Sequence, residues 1–551
     1  MLASSSLHDT NIAALLARQA RRHGRRTFLK LREGEIAFDA LHRSVVRLAS
    51  GLSACGVRAG DHVAVMLPNC EQFVQLVFAT AHLGAVFVPI NTAYRGAILK
   101  HVLATSDAGT LVVDEIFLDQ LQGQYEDLER LSCVIVRGGR DGVPRGLARS
   151  TLNLSKLYRR AAETPSPEST PDALQAIMFT SGTTGLSKGV MVPHTLALES
   201  ARTFLSLIAH EDGETVYCPL PLFHASGMWE GLMAPLLAGS PLALVERFSA
   251  SRFWSDARHF NARIAMGVFS MAPILLKRSP SSDDRSHPLR AFYTGKSLHD
   301  AEFTQRFGVR CVENYASTEA GIPIASPYGE WAPGACGRPW SETHEVALVD
   351  RWDRPLPPGE VGEIVVRPRL PFTVTPGYYR NAQATAQSFR NLWFHTGDLA
   401  RRDADDHYFV FGRIKDCIRR RGENISAFEV EQGVNSHPAV LESAAIAAPS
   451  EFEEDEIKIV VVARPGMDLD PADLIEHCTA TLPGFMTPRY VEVVDELPRN
   501  AVGKVAKQEL RNHGITAATW ERPGAARASV GVTERRSACG QSQSSDQENS
   551  A

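Results

Sequence analysis

The stretch Thr180-Ser181-Gly182-Thr183-Thr184-Gly185-Leu186-Ser187-Lys188-Gly189 decides how the rest of the chain is read. Its glycines let the backbone come close to a ligand and take up positive φ. Successive N–H groups in such a loop form an anion-binding nest. The hydroxyls add donors and a candidate magnesium ligand, and Lys188 adds a mobile positive charge. This is the composition of a polyphosphate cradle; a flexible surface loop is the alternative. Ala176-Ile177-Met178-Phe179 leads into it like a buried strand, and Gly189-Val190-Met191-Val192-Pro193-His194 resumes an apolar course. A Walker loop would need glycine at 187, where Ser187 stands, and no G-x-G-x-x-G supports a dinucleotide fold.

Bulk properties narrow the classes. At 551 residues the chain exceeds one compact core, so two or more domains are expected. It is 44% hydrophobic and 22% charged, as soluble globular proteins are. A net charge of -5 and the lack of a basic stripe with interleaved aromatics argue against a dedicated nucleic-acid binder. Arg419-Arg420-Arg421 reads as a solvated face or a phosphate contact. Nine cysteines show neither C-x-x-C nor zinc-ligand spacing, which suits a reducing cytoplasm. The start of the chain lacks a charged segment followed by an apolar one. The longest apolar run, near residues 77–90, is broken by His82 and is too short to span a bilayer.

Apolar spacing at Ile12, Leu15, Leu16, Leu41, Val45, Val46, Leu48 and Leu52 makes residues 10–55 read as helical. Short apolar strands at 62–67 and 85–90, with a helix between them, predict parallel α/β units, and the pattern recurs at 110–113 and 131–136. Residues 161–173, rich in Pro, Ser, Glu and Thr, read as an exposed linker. A smaller unit opens at Ile414, with strands near 442–447 and 457–462 and a helix from Asp470-Pro471. The tail has too few large apolar residues to bury a core and is expected to be disordered.

Four further motifs follow in order: Pro221-Leu222-Phe223-His224-Ala225-Ser226-Gly227; Glu313-Asn314-Tyr315-Ala316-Ser317-Thr318-Glu319; Trp393-Phe394-His395-Thr396-Gly397-Asp398 leading to Gly412-Arg413-Ile414-Lys415-Asp416; and Leu497-Pro498-Arg499-Asn500-Ala501-Val502-Gly503-Lys504-Val505. With the glycine-rich loop they resemble the adenylate-forming superfamily of acyl-CoA synthetases, aryl and acyl acid ligases, luciferases and peptide-synthetase adenylation domains. The resemblance covers roughly residues 10–512. Arg420 to Ser426 and Leu497 to Asn500 look most like the carnitine/crotonobetaine-type CoA ligases.

The resemblance implies a fold and a reaction. The fold is a large α/β domain with stacked sheets and helices over residues 1–412, a small mobile α+β domain over 413–520, and a tail from 521 to 551. The reaction attacks the α-phosphate of ATP with a carboxylate, giving an acyl-adenylate and pyrophosphate, and coenzyme A then displaces AMP. Thr180, Ser181, Gly182, Thr183, Thr184, Gly185 and Lys188 would hold the phosphates. Thr184 and Glu319 would neighbour magnesium, a hard cation that prefers oxygen ligands. Tyr315 would stack on adenine, flanked by Asn314, Ser317 and Thr318. Asp398 would accept both ribose hydroxyls, with Arg413 as a second contact. Lys504 would bridge the acid and the α-phosphate, and Lys415 would be the hinge. Arg419, Arg421 and Gly422 would face the thiol.

Amino-acid-activating domains carry aspartate where His224 stands, so His224 disfavours α-amino acids as substrates. It would gate the acyl pocket or orient the carboxylate. Trp229, Phe269, Gly295 and Lys296 would line that pocket. Lys296 departs from the small residues of many relatives, and either meets a substrate acid group or turns outward. The rival readings are an enzyme that loads a carrier-protein pantetheine and a non-catalytic nucleotide-binding relative.

Overall fold

The computed structural model describes residues 11–121, 128, 130–139, 150–159, 170, 172–180, 187–268, 271–295, 299–330, 332–413, 417–420, 423–449, 455–482, 484–499 and 504–523. Most of the linker reading (161–173) and nearly all of the tail lie outside these residues. Contacts divide the chain into two units. The first comprises 1–417, 426–429 and 498–506; the second comprises 418–425, 430–497 and 507–551.

The first unit carries two large sheets. In the seven-stranded sheet, strands 150–153, 133–137, 110–114, 62–66 and 86–89 run parallel in that spatial order. Next comes β1 (Leu174–Thr180), parallel to its neighbour, and then β2 (Lys188–Pro193), antiparallel to β1. Residues of the central strand alternate between two cores. Val63 and Val65 enter one, with α1 (His194–Leu207) and the N-terminal helices, while Ala64 and Met66 enter the other. Burial on both faces is why the parallel strands read as continuous apolar runs.

The nine-stranded sheet includes β3 (Ala291–Gly295), β4 (Arg310–Ser317) and β5 (Gly321–Ala325). β3 and β4 are parallel, and β4 turns tightly into antiparallel β5. A separate antiparallel sheet holds β6 (Val361–Pro368), β7 (Trp393–Arg402) and β8 (Tyr408–Arg413). The second unit is built on a four-stranded sheet of residues 440–449, 455–463, 490–493 and 520–521. Its helix Pro471–Thr481 is capped by the Asp470 side chain, which accepts from the Ala472 N–H at 2.8 Å.

One reading is corrected. Residues 10–55 are not continuously helical: helices Ile12–His23 and Phe38–Ala54 flank an antiparallel hairpin, Thr27–Leu31 with Gly34–Ala37. The apolar residues that set the helical period lie at the two ends of that span. Between them Phe28, Leu29 and Leu31 precede the turn at Gly34, whose φ is +158°.

Helix Phe38–Ala54 also makes a stability prediction. Gly51 lies against the backbone of Leu157, and a Cβ there would stand 2.5 Å from the Leu157 carbonyl oxygen. Alanine in place of helical glycine normally stabilises by about 1 kcal/mol. Here the clash is with backbone and cannot swing away. Gly51→Ala is therefore expected to lower the melting temperature in a thermal scan, the reverse of the usual helix effect.

Candidate functional site

The two strands that flank the glycine-rich stretch pair with each other. Thr180 ends β1 and pairs in register with Lys188, which starts β2. Ser181, Gly182, Thr183, Thr184 and Gly185 lie outside the described residues. Beside β2 runs a segment that the sequence reading missed. Tyr379 donates its N–H to the Gly189 carbonyl at 2.7 Å, and Met191 donates to the Gly377 carbonyl at 3.0 Å. This pairing sets the Tyr378 ring 4.8 Å from the Lys188 ammonium. The Tyr378 hydroxyl donates to Glu319 Oε1 at 3.0 Å, and the Thr375 N–H donates to the Glu319 carbonyl at 2.7 Å. Glu319 stands in the turn between β4 and β5, closed by the Ala320 N–H donating to Ser317 Oγ at 3.1 Å. The only sequence signal for Tyr378 is the pair Tyr378-Tyr379 behind Pro376-Gly377, which names no chemistry by itself.

Tyr315 and Asp398 meet directly. The Tyr315 hydroxyl donates to Asp398 Oδ2 at 2.5 Å. A bulge puts Asp398 there. His395 pairs with Val365 and Leu399 with Glu363, so Thr396, Gly397 and Asp398 oppose Ile364 alone. Bulges of this kind re-aim side chains beside functional sites. Gly397 has a φ of +74°, where L side chains are strained, and its N–H donates to Glu363 Oε1 at 3.0 Å. Behind the bulge, His395 Nδ1 lies 2.9 Å from Glu363 Oε2 and 2.9 Å from an Arg390 nitrogen. Sequence reasoning missed Glu363 and Arg390. Arg413 pairs with Asp398 across β7 and β8, and its side chain lies outside the described residues. Asn314 sits on β4 and donates its side-chain amide to the Thr294 carbonyl at 3.0 Å.

Several of these groups border one cavity of about 900 Å³, the size of a small-molecule site; Tyr315 and Asp398 are not on its wall but are chain neighbours of Ala316 and Gly397, which are. Its wall includes Thr180, Lys188, Ser317, Thr318 and Glu319, then Thr396 and Gly397, and on another side His224, Trp229 and Glu230. Lys504 also lines it, on a short bridged stretch in which Arg499 pairs with Val505. Burial, with a smaller contribution from the Lys504 ammonium, lowers the His224 imidazole to about 4. His224 is therefore neutral at pH 7, and its Nε2 is buried with no hydrogen-bond partner. Trp229 follows on a π-helix, Ser226–Met233, and is 1% exposed. Gly295 closes β3. Phe269, Lys296 and the hinge candidate Lys415 lie outside the described residues, as do Arg421 and Gly422.

In the second unit, Arg419 lies on the strand Cys417–Arg420, and its side chain is outside the described residues. Its neighbour Arg420 departs from the expectation of a solvated face or a phosphate contact. It is buried, ion-paired to Glu456 at 2.7 Å, and donates to the Thr487 carbonyl at 3.0 Å. Alternation along the strand accounts for this.

Residues 16–379 match the model of the AMP-binding enzyme family, and residues 429–504 match the AMP-binding enzyme C-terminal domain. The chain belongs to this family. It is 32% identical over 488 residues to a crotonobetaine/carnitine–CoA ligase of Salmonella arizonae, an alignment covering 86% of this chain and 93% of that protein. The anthranilate CoA ligase AuaEII, solved in complex with anthranoyl-AMP, superposes with a TM-score of 0.85 at 25% identity, covering 93% of this chain and 98% of the other. ATP-bound MatB from Rhodopseudomonas palustris gives 0.82 at 27% identity, covering 91% and 99%. The chain is an AMP-forming acid–CoA ligase, which activates a carboxylic acid as an acyl-adenylate and passes the acyl group to coenzyme A. Among the described residues no helix is long and apolar enough to cross a membrane.

The neutral His224 has a measurable consequence. Its folded value, about 4, lies below the unfolded value near 6.5. The unfolded chain binds the proton first, so this residue's share of stability is present above pH ~6.5 and is lost as the pH falls toward 4. His224→Asn is expected to shrink the difference in unfolding free energy between pH 7 and pH 5, read by urea titration. An unchanged difference would contradict the burial argument.

Proposed function

We propose that the cavity holds ATP with its base and ribose at Tyr315 and Asp398, and that the acid is joined to it beside Lys504 and His224. The observation that carries this reading is the meeting of Lys188, Glu319, His224 and Lys504 on the wall of one cavity. A flat phenol and an anionic acceptor suit an adenine face and a vicinal diol. Asn314, Ser317 and Thr318 frame the same end. Lys188 and the loop before it take the β- and γ-phosphates, with Arg413 as a second ribose or phosphate contact. Magnesium, held by Glu319 and Thr184, would neutralise phosphate charge. The Tyr378 hydroxyl fixes the Glu319 carboxylate for that task.

The first step brings two anions together. A carboxylate oxygen attacks the α-phosphorus, the bond to the β-phosphate oxygen breaks, and pyrophosphate leaves. The Lys504 ammonium lies between the incoming carboxylate and the α-phosphate and stabilises the charge that builds there. A neutral His224 beside it adds a polar edge without competing for the carboxylate. In the second step the thiolate sulfur of coenzyme A attacks the acyl carbon and AMP departs with the bonding pair. Rotation about Lys415 withdraws Lys504 and brings Arg419, Arg421 and Gly422 toward the thiol, so each step has its own groups. The enzyme works in the cytoplasm.

Lys504→Ala is expected to slow acid-dependent pyrophosphate release by roughly 10² to 10³. Conversion of a supplied acyl-adenylate to its thioester should persist. Equal loss of both half-reactions would contradict the role assigned to Lys504. Turnover with free coenzyme A, measured by thioester mass spectrometry, separates this reading from carrier-protein loading.

A further inference from the structure

Asp107 stands at the end of helix Gly96–Ser106, off the cavity wall, in a left-handed conformation with φ +54°. Glycine is the usual residue at such a position. Its side chain is 6% exposed, and its carboxylate gathers three donors. The Tyr379 hydroxyl donates to Oδ2 at 2.9 Å, Arg380 Nε stands 2.6 Å from the same oxygen, and Arg130 Nε stands 3.4 Å from Oδ1. Arg380 is itself held at φ +53°. Residues in sparsely populated backbone regions persist where their surroundings fix them, and they cluster at ligand clamps.

Two of those donors belong to the segment that carries Tyr378. The segment is laid along β2: Tyr379 donates its N–H to the Gly189 carbonyl, Met191 donates to the Gly377 carbonyl, and Tyr378 bridges to Val190. Successive side chains of an extended stretch point to opposite sides. Tyr378 lines the cavity, with its ring beside Lys188 and its hydroxyl on Glu319. Tyr379 turns the other way. It packs against the apolar cluster of Ala64 and Met66, with its ring edge-on to His62 at 5.1 Å between centroids. Burial, together with the Asp107 carboxylate, raises its phenol above the ordinary value, so the hydroxyl keeps the proton that it donates. The convergence of neighbouring residues 379 and 380 on one buried oxygen leaves the segment little freedom to slide along β2. A slide there would move the Tyr378 ring off Lys188 and its hydroxyl off Glu319.

We infer that Asp107 is a positioning residue for the triphosphate end of the nucleotide site: it acts through Tyr379 and Arg380 on Tyr378, and through Tyr378 on Lys188 and Glu319. The inference rests on the placement of the β- and γ-phosphates at Lys188 given above. Asp107 touches no substrate. The adenosine end, at Tyr315 and Asp398, is held by other strands and does not depend on it.

The test compares two nucleotides by calorimetry in the presence of magnesium. One is α,β-methylene-ATP, which cannot release pyrophosphate; the other is AMP, which lacks the β- and γ-phosphates. Asp107→Ala is expected to raise the Kd of α,β-methylene-ATP roughly tenfold, the scale on which supporting residues act on a site, and to leave the Kd of AMP unchanged. Tyr379→Phe is expected to do the same to a smaller degree. General destabilisation would lower the fraction of competent protein for both nucleotides alike. Lys188→Ala serves as the reference and is expected to weaken the triphosphate alone. Equal weakening of both nucleotides in Asp107→Ala would overturn the inference. An unchanged Kd in Asp107→Ala, with Lys188→Ala weakened, would overturn it and leave the phosphate placement intact. Unchanged triphosphate binding in both variants would overturn the inference and the placement together. Should Asp107→Ala fail to fold, Tyr379→Phe decides by the same comparison.

Discussion

Two anions must be brought into contact, and the site is organised around that repulsion. A carboxylate and a triphosphate do not approach each other in water without charge compensation, and the cavity supplies it on several sides. Lys188, Arg247, Arg390, Arg499 and Lys504 all line it. In a partly water-excluded space each of these charges acts more strongly than it would in bulk solvent. The fold is the means of holding them. The β1–β2 hairpin carries Lys188, the strand-like segment at Tyr378 packs beside it, and the β4–β5 turn delivers Glu319 to Tyr378.

Strain and burial are concentrated on and beside the cavity wall. The bulge at Thr396 to Asp398 aims a carboxylate at Tyr315, and its glycine takes a backbone angle that other residues resist. The π-helix at Ser226 to Met233 puts Trp229 and Glu230 on the cavity wall. Wide turns of this type are uncommon and often occur at functional sites. Burial shifts two groups on the cavity wall in opposite directions: the His224 imidazole down and the Glu230 carboxyl up.

Much of this was legible in the sequence, for physical reasons. The parallel strands announce themselves because burial on both faces demands unbroken apolar runs, as at Val63 to Met66. Asp398, Glu319, Tyr315 and Lys504 sit in motifs whose chemistry is local, so their types and spacing speak for them. Tyr378, Glu363 and Arg390 could not be read this way. They act through partners 59, 34 and 5 residues away along the chain, and only the folded register brings those partners together. The hairpin at Thr27 to Ala37 was hidden for a simpler reason: strong helical periodicity on both sides masked a short interruption. Glu230 was passed over because a lone Glu in an apolar run carries no motif.

The most direct measurement follows one oxygen atom. An acid labelled with oxygen-18 in its carboxylate is incubated with the enzyme, ATP and coenzyme A, and the products are analysed by mass spectrometry. If the acid carboxylate attacks the α-phosphate beside Lys504, each thioester formed is accompanied by AMP carrying one labelled oxygen, and pyrophosphate carries none. Label in inorganic phosphate together with ADP, or unlabelled AMP, would contradict the account.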